Sequence, residues 1–252
     1  MNLLLFDPAE LPENEVTLAP GDRRAEHLRR VLRARPGLVL RAGAIRGATG
    51  RAEILADDER GMRLRVMLDG PVSPRPAIDL ILAVPRPKVL PRVLETAASF
   101  GVGRIDLCNA WRVDRSYLAS PRLAAAELAT ALRLGCEQGA TTWLPDVELH
   151  PLLMPFLRAP GRWNGESRRV IAHPRAGAPI EAVVGPGSAP ALIAIGPEGG
   201  WIDRELDSFA ELGFVPAHLG GAVLRVEAAV AAVLAQVQLL QRLQIRSRPD
   251  RD

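Results

Sequence analysis

Three prolines in GPVSPRPA, Gly70 to Ala77, interrupt the chain between two segments whose apolar residues follow different rules. Proline lacks an amide hydrogen and fixes φ, so such a run ends any helix or strand before it. Ahead of the break, LVLRAG, GRAEILA and MRLRVML are short apolar or alternating runs separated by glycine, the pattern of a small β-barrel. Beyond it the pattern becomes strand, helix, strand, helix. IDLILAV leads to a helix ending at Gly101, RIDLCNA leads to a helix opened by Ser120 and Pro121, and RRVIAHP, ALIAIG and FVPAHLG follow. This alternation predicts an α/β domain with a largely parallel sheet. A last helix from about Leu224 to Leu243 carries Val226, Val230, Val233, Leu234 and Val237 on one face. The expected division is 1–72, 73–245 and a polar, disordered tail over 246–252.

A chain of 252 residues, 48% hydrophobic, can bury a proper core. No apolar run approaches the roughly 20 residues that span a bilayer, and MNLLLFDPAE lacks the basic start and cleavage site of a signal peptide. The expectation is a cytoplasmic protein that does not enter the membrane. Cys108 and Cys136 are too few for a disulfide framework and read as core residues. His27, His150, His173 and His218 are scattered, with no zinc-type spacing, so no metal is expected.

The net charge is only +3, and Lys88 is the one lysine among many arginines. In GDRRAEHLRRVLRARPG, Leu28, Val31 and Leu32 form an apolar stripe while Arg24, Arg29, Arg30, Arg33 and Arg35 crowd the rest of the helix. Two readings fit: a solvated surface, or an RNA contact in which Arg24, Arg29, Arg30 and Arg33 meet phosphates.

The turns AHPRAG (172–177), IGPEGGW (195–201) and HLGGAVLRVEAA (218–229) each fall at the end of an expected strand. Ligands of an open α/β sheet bind outside the carboxyl ends of its strands, where loops expose backbone amides. The three turns are therefore expected to share a pocket. IGPEGGW sets Gly196, Pro197, Gly199 and Gly200 around the single carboxylate of Glu198, which argues against a phosphate cradle because like charges repel.

The series IGPEGGW, LG and LRVEAA closely resembles the signature of the methyltransferases that modify uridine N3 in small-subunit (16S) ribosomal RNA, GPEGG followed by LG and LR-T-E-T-A. HLRRVLRARPG resembles that family's N-terminal helix and PUA-like β domain, and CEQGATTWLPDV its EQS segment, so the likeness runs along nearly the whole chain. It implies a SPOUT-type parallel sheet with a C-terminal trefoil knot, S-adenosyl-L-methionine as methyl donor, and a homodimer acting on ribosomal RNA or the small subunit. Gly196, Gly199 and Gly200 would let the backbone approach the adenine, with Pro197 in the same turn. Ile195, Leu219, Gly220, Val223 and Leu224 would wall it, and His173 and Pro174 close the third side. Arg225 would stabilise the uracil anion, while Glu198 and Glu227 are candidates for the base or for orienting Arg225. The chain departs from the family pattern at Val226 and Ala228, which replace two threonines, at RPKVL and VLETAASFG, which lack usual charged residues, and at Gly139, which replaces a serine. The last helix, through Val230, Val233 and Val237, is expected to form the subunit interface. The competing readings are a non-catalytic dimeric RNA-binding or assembly protein, and a SPOUT methyltransferase acting on a different RNA nucleotide.

Overall fold

The computed structural model describes the whole chain apart from residues 12, 161–164, 166, 188 and 244–252. The tail expected over 246–252 lies outside the described residues. Two compact units emerge: Met1–Arg75 with Leu132–Leu144, and Pro76–Ala131 with the chain from Pro145 onward.

In the first unit, β1 (Leu4–Phe6), β2 (Glu15–Leu18), β3 (Val39–Ala44), β4 (Thr49–Asp58) and β5 (Gly61–Met67) form one sheet in the order β1-β3-β4-β5-β2. Only β1 and β3 run parallel; the other neighbours are antiparallel. Alternation decides which face is core: along β5, Met62, Leu64 and Val66 are buried while Arg63, Arg65 and Met67 point to water. The helix α1 (Arg23–Arg30) closes this core with Ala25 and Leu28, both fully buried.

That helix is shorter than its sequence suggests. Asp22 caps its start by accepting from the Arg24 amide at 2.7 Å. Its end is a six-residue closure, Ala34 N–H to Leu28 O at 3.0 Å, with Arg33 in the left-handed region at φ 50°. The chain leaves the helical path there, so Val31 and Leu32, expected on the apolar stripe, are 64% and 43% exposed.

The second unit contains β6 (Ile78–Ala83), α2 (Leu90–Ser99), β7 (Arg104–Cys108), α3 (Arg115–Leu118), the start of α4 (Ala125–Gly139), β8 (Asp146–His150), α5 (Leu153–Leu157), β9 (Arg168–Ala172), α6 (Ile180–Val184), β10 (Ala191–Ile195), α7 (Asp203–Glu211), β11 (Val215–Ala217) and α8 (Val226–Arg242). Its six strands lie in the order β11-β9-β10-β6-β7-β8, and every neighbouring pair is parallel. The central strands are buried on both faces: Leu80, Ile81, Leu82, Ile193 and Ala194 have no exposed surface.

The structure corrects three expectations. Ser120 and Pro121 open only a short turn ending at Leu123, and α4 starts at Ala125. The last part of α4 and the following residues, 132–144, group with the first unit although the sequence division put them in the second. Glu137 explains this: it is 2% exposed, its carboxylate takes two hydrogen bonds from Arg23 at 2.7 and 2.8 Å, and its carbonyl accepts from the amides of Asn2 and Leu3. The apolar face of α8, expected between subunits, is instead core within the chain. Val230, Val233 and Val237 are fully buried where α8 packs on α2, α6 and β10.

Candidate functional site

Because the sheet is parallel, all its strands deliver their loops to one edge, and β11, β9 and β10 are neighbours there. The loops after these three strands enclose a cleft of about 450 Å³ in the second unit. His173, Pro174, Ile195, Gly196, Pro197, Glu198, Gly199, Gly200, Leu219, Val223, Leu224 and Arg225 all line it. Gly220 and Glu227 do not. Gly220 lies in the same loop, with φ 134°, and its amide donates to Nδ1 of His218 at 3.3 Å. Glu227 sits in the first turn of α8, half-buried, where a carboxylate favours the helix dipole.

Each loop is pinned from behind. Ala178 O accepts from the His218 amide and His218 O from the Ile180 amide, at 3.0 and 3.1 Å, while Gln236 of α8 reaches Leu219 O at 3.1 Å. His173 donates its amide to Ala217 O at 2.9 Å, and its Nδ1 accepts from the Arg175 amide at 3.3 Å. Burial, then the charge of Arg175, lowers the imidazole below its ordinary pKa.

The glycines of IGPEGGW answer to the protein's own packing. A Cβ on Gly196 would stand 3.1 Å from Nε1 of Trp201, and one on Gly199 would stand 3.1 Å from the Arg112 side chain. Gly200 has φ 73°, which side chains other than glycine rarely adopt. The Trp201 ring packs on Phe209 at 5.0 Å, 4% exposed, and its Nε1–H is buried with no hydrogen-bond acceptor among the described residues. Glu198 accepts from the Arg86 amide at 3.2 Å, and the Arg86 Nε lies 3.7 Å from the same oxygen. Its carboxylate therefore tethers this turn to the loop after β6 while still facing the cleft.

Three arginines line the cleft: Arg112, Arg175 and Arg225. Arg225 is the exposed residue that begins α8, and it has no ion pair among the described residues. Arg112 comes from the loop after β7 and donates to Gly199 O at 2.6 Å. The sequence reading missed it, along with Arg175 and the Trp201 ring. The strand-end rule that identified the other turns could have found Arg112, because RIDLCNA is followed directly by WRVD. Val226, in place of a family threonine, is 5% exposed and packs as a core side chain, whereas Ala228 is exposed.

The arginines expected to meet RNA fare differently. Arg24 is corrected: it is 8% exposed, donates to Glu10, Asp22 and Leu5 O, and lies 5.1 Å over the Phe6 ring. A guanidinium with those partners inside the fold is unavailable to a phosphate. Arg29 is held by Asp57, Arg30 is largely exposed with a 3.9 Å approach to Glu26, and Arg33 is exposed at the helix end. Cys108 and Cys136 are buried, as expected, and burial raises both thiols, that of Cys136 to about 12. His150 joins Asp106 and Glu148 in a tight cluster, where Arg104 already donates to both carboxylates at 2.8 Å. No helix among the described residues is long and apolar enough to cross a membrane.

The chain matches the RNA methyltransferase domain over residues 72–238. It is 30% identical over 245 residues to the ribosomal RNA small subunit methyltransferase E of Treponema pallidum, covering 94% of this chain and 90% of that protein. Its identity to the Mycobacterium tuberculosis protein of the same name is 27%, covering 95% and 93%. The fold matches the crystal structure of the Neisseria gonorrhoeae ribosomal RNA small subunit methyltransferase E bound to S-adenosyl methionine, with a TM-score of 0.73 and 22% identity over 95% of this chain and 98% of that one. With a domain match over more than half its length and a relative this similar end to end, the chain belongs to the RNA methyltransferase family, alongside the ribosomal RNA small subunit methyltransferase E proteins.

Proposed function

We propose that the protein transfers a methyl group from S-adenosyl-L-methionine to N3 of a uridine in small-subunit ribosomal RNA. The observation that carries this reading is the convergence of the three strand-end loops on one cleft with Arg225 at its edge. The cleft suits the methyl donor: Ile195, Leu219, Val223 and Leu224 offer apolar surface, the three loops bring backbone amides and carbonyls, and the Trp201 Nε1–H has no acceptor among the described residues. S-adenosyl-L-methionine, when bound, supplies an electrophilic methyl group.

Uracil N3 carries a proton and is a poor nucleophile until that proton leaves. Arg225, at the head of α8 and without an ion pair among the described residues, would stabilise the anion that then spreads over O2 and O4. Of the two candidate bases, Glu198 faces the cleft and Glu227 does not line it, so we assign proton removal to Glu198 and the support of α8 to Glu227.

The same reading takes the second unit as a SPOUT-type domain whose C-terminal segment forms a trefoil knot, and the first as a PUA-like barrel contacting RNA through Arg29, Arg30 and Arg33. The working form is a cytoplasmic homodimer whose interface lies away from the buried valines of α8. The out-of-order parallel strands and the loop that leads into α8 support the first assignment, and the short alternating strands the second. The test is transfer of labelled methyl from S-adenosyl-L-methionine to unmethylated small subunits and to naked 16S RNA, followed by nucleoside analysis. Label in N3-methyluridine supports the proposal; label in another nucleoside moves the substrate, and cofactor binding with no transfer removes the enzyme.

A further inference from the structure

Trp111 is 79% exposed, whereas Trp201 is 4% exposed and Trp143 is half-buried. An indole turned to water gains nothing from the core, yet the backbone beneath it is firmly held. The Trp111 amide donates to Oε1 of Glu205 at 2.8 Å, and Oε2 of the same carboxylate accepts from the Ile202 amide at 3.0 Å. Glu205 is 3% exposed, so a buried carboxylate ties the loop after β7 to the turn that follows IGPEGGW. Ala110 and Val113, on either side, are 4% and 6% exposed, and the Val113 amide closes a turn onto Ala110 O at 3.0 Å. The loop is thus anchored by its flanks and projects two side chains. Arg112 reaches into the cleft and binds Gly199 O, and the exposed Trp111 directly precedes it in the same loop.

An exposed aromatic ring beside arginines is the combination that holds single-stranded nucleic acid, because every base has a face to stack. Reaction at N3 adds a demand of its own: this atom lies on the edge used for base pairing, so the target must leave its helix and part from its neighbours. A neighbouring base then has an uncovered face. We infer that Trp111 stacks on a base flanking the target uridine and so sets the RNA at the mouth of the cleft, with Arg112 beside it meeting the backbone. This inference rests on the RNA-methylating reading above.

The test uses full-length wild type, Trp111→Ala and Trp111→Phe, each checked by circular dichroism and light scattering, with unmethylated small ribosomal subunits as the RNA probe. At saturating S-adenosyl-L-methionine, Trp111→Ala is expected to raise KM for the subunits roughly 10-fold or more while kcat changes far less, the scale of one lost stacking contact. Trp111→Phe recovers most of the loss, cofactor affinity is unchanged in both, and the tryptophan fluorescence quenched by subunits in wild type loses that response in Trp111→Ala. Unchanged KM in Trp111→Ala overturns the inference. So does a Trp111→Ala protein that scatters as a smaller species than wild type, since the ring then belongs to a contact with a second copy. A wild type that binds the methyl donor but labels no RNA fails differently, bringing down the methylating reading and the stacking with it.

Discussion

Arg24 in the first unit spends its guanidinium on Glu10, Asp22 and the Leu5 carbonyl, while Arg225 in the second stands exposed at the head of α8 with its charge on a cleft. One arginine sits in the basic run DRRAEHLRR, and the other is the lone basic residue of LRVEAA. Their difference lies in what the fold brings to them. Around Arg24 two carboxylates and a carbonyl satisfy the fork inside the unit, and a charge so consumed holds structure. Around Arg225 no anion is paired among the described residues, and a charge left open at a cleft is available to a ligand. The same contrast separates Arg29, clasped by Asp57, from Arg30, largely free in water.

The largest expected effect is in the core of α8, which sharpens the contrast by testing what its apolar face does. Val233 is fully buried within the chain, so Val233→Asp places an unpaired carboxylate in apolar surroundings and is expected to cost upward of about 3 kcal/mol. Thermal denaturation followed by circular dichroism is expected to show an unfolded or severely destabilised protein. A folded, monomeric variant of unchanged stability would instead put Val233 at a subunit contact.

Arg24→Ala is expected to have the next largest effect, on stability alone. It leaves Glu10 and Asp22 facing each other without their shared cation, a loss of about 1–3 kcal/mol, between the scales for exposed and buried pairs because only the arginine is buried. Burial pushes both carboxyls up, and the hydrogen bonds from Arg24 outweigh it, so both sit below the ordinary carboxylate range. The sign follows: a lowered carboxylate contributes stability above its unfolded pKa and loses it as pH falls through the folded value. Wild type is therefore expected to keep this contribution into pH values below the usual carboxylate range, and Arg24→Ala to lack it already at neutral pH. Acid-unfolding curves of the two proteins check this, and coincident curves would contradict it. Cofactor affinity at pH 7 is expected to stay as in wild type.

The smallest effect is that of Arg30→Ala. Its pair with Glu26 is long and exposed, so stability is expected to move by less than about 0.5 kcal/mol. If Arg30 meets a phosphate, the dependence of log affinity for 16S RNA on log salt flattens by about 0.9. An unchanged slope leaves it as solvated surface.

How much of this was legible in the residues follows the same line. The alternation beyond GPVSPRPA was enough for a parallel sheet, and IGPEGGW was enough for a site, because both are local patterns. Strand β8 was not seen: it is the edge of the sheet, and DVELH carries charged residues on a half-wet surface with no apolar run to mark it. Arg24 was misread because Glu10, which neutralises it, is 14 residues away and meets it only when the sheet forms. The face of α8 has the pattern of a buried surface, and periodicity does not say whether the covering element belongs to the same chain. Arg112 and Trp111 belong to no motif, and their meaning comes from a loop held by Glu205, 94 residues later.

Single-turnover methyl transfer to small subunits at saturating S-adenosyl-L-methionine measures directly whether Arg225 acts in the reaction itself. Arg225→Ala is expected to slow the step by roughly 10²-fold, the scale for one lost charge-stabilising donor, while calorimetry finds the cofactor bound almost as tightly as in wild type. A rate equal to wild type, or a loss explained entirely by weaker cofactor binding, would contradict the claim that this open arginine stabilises the uracil anion.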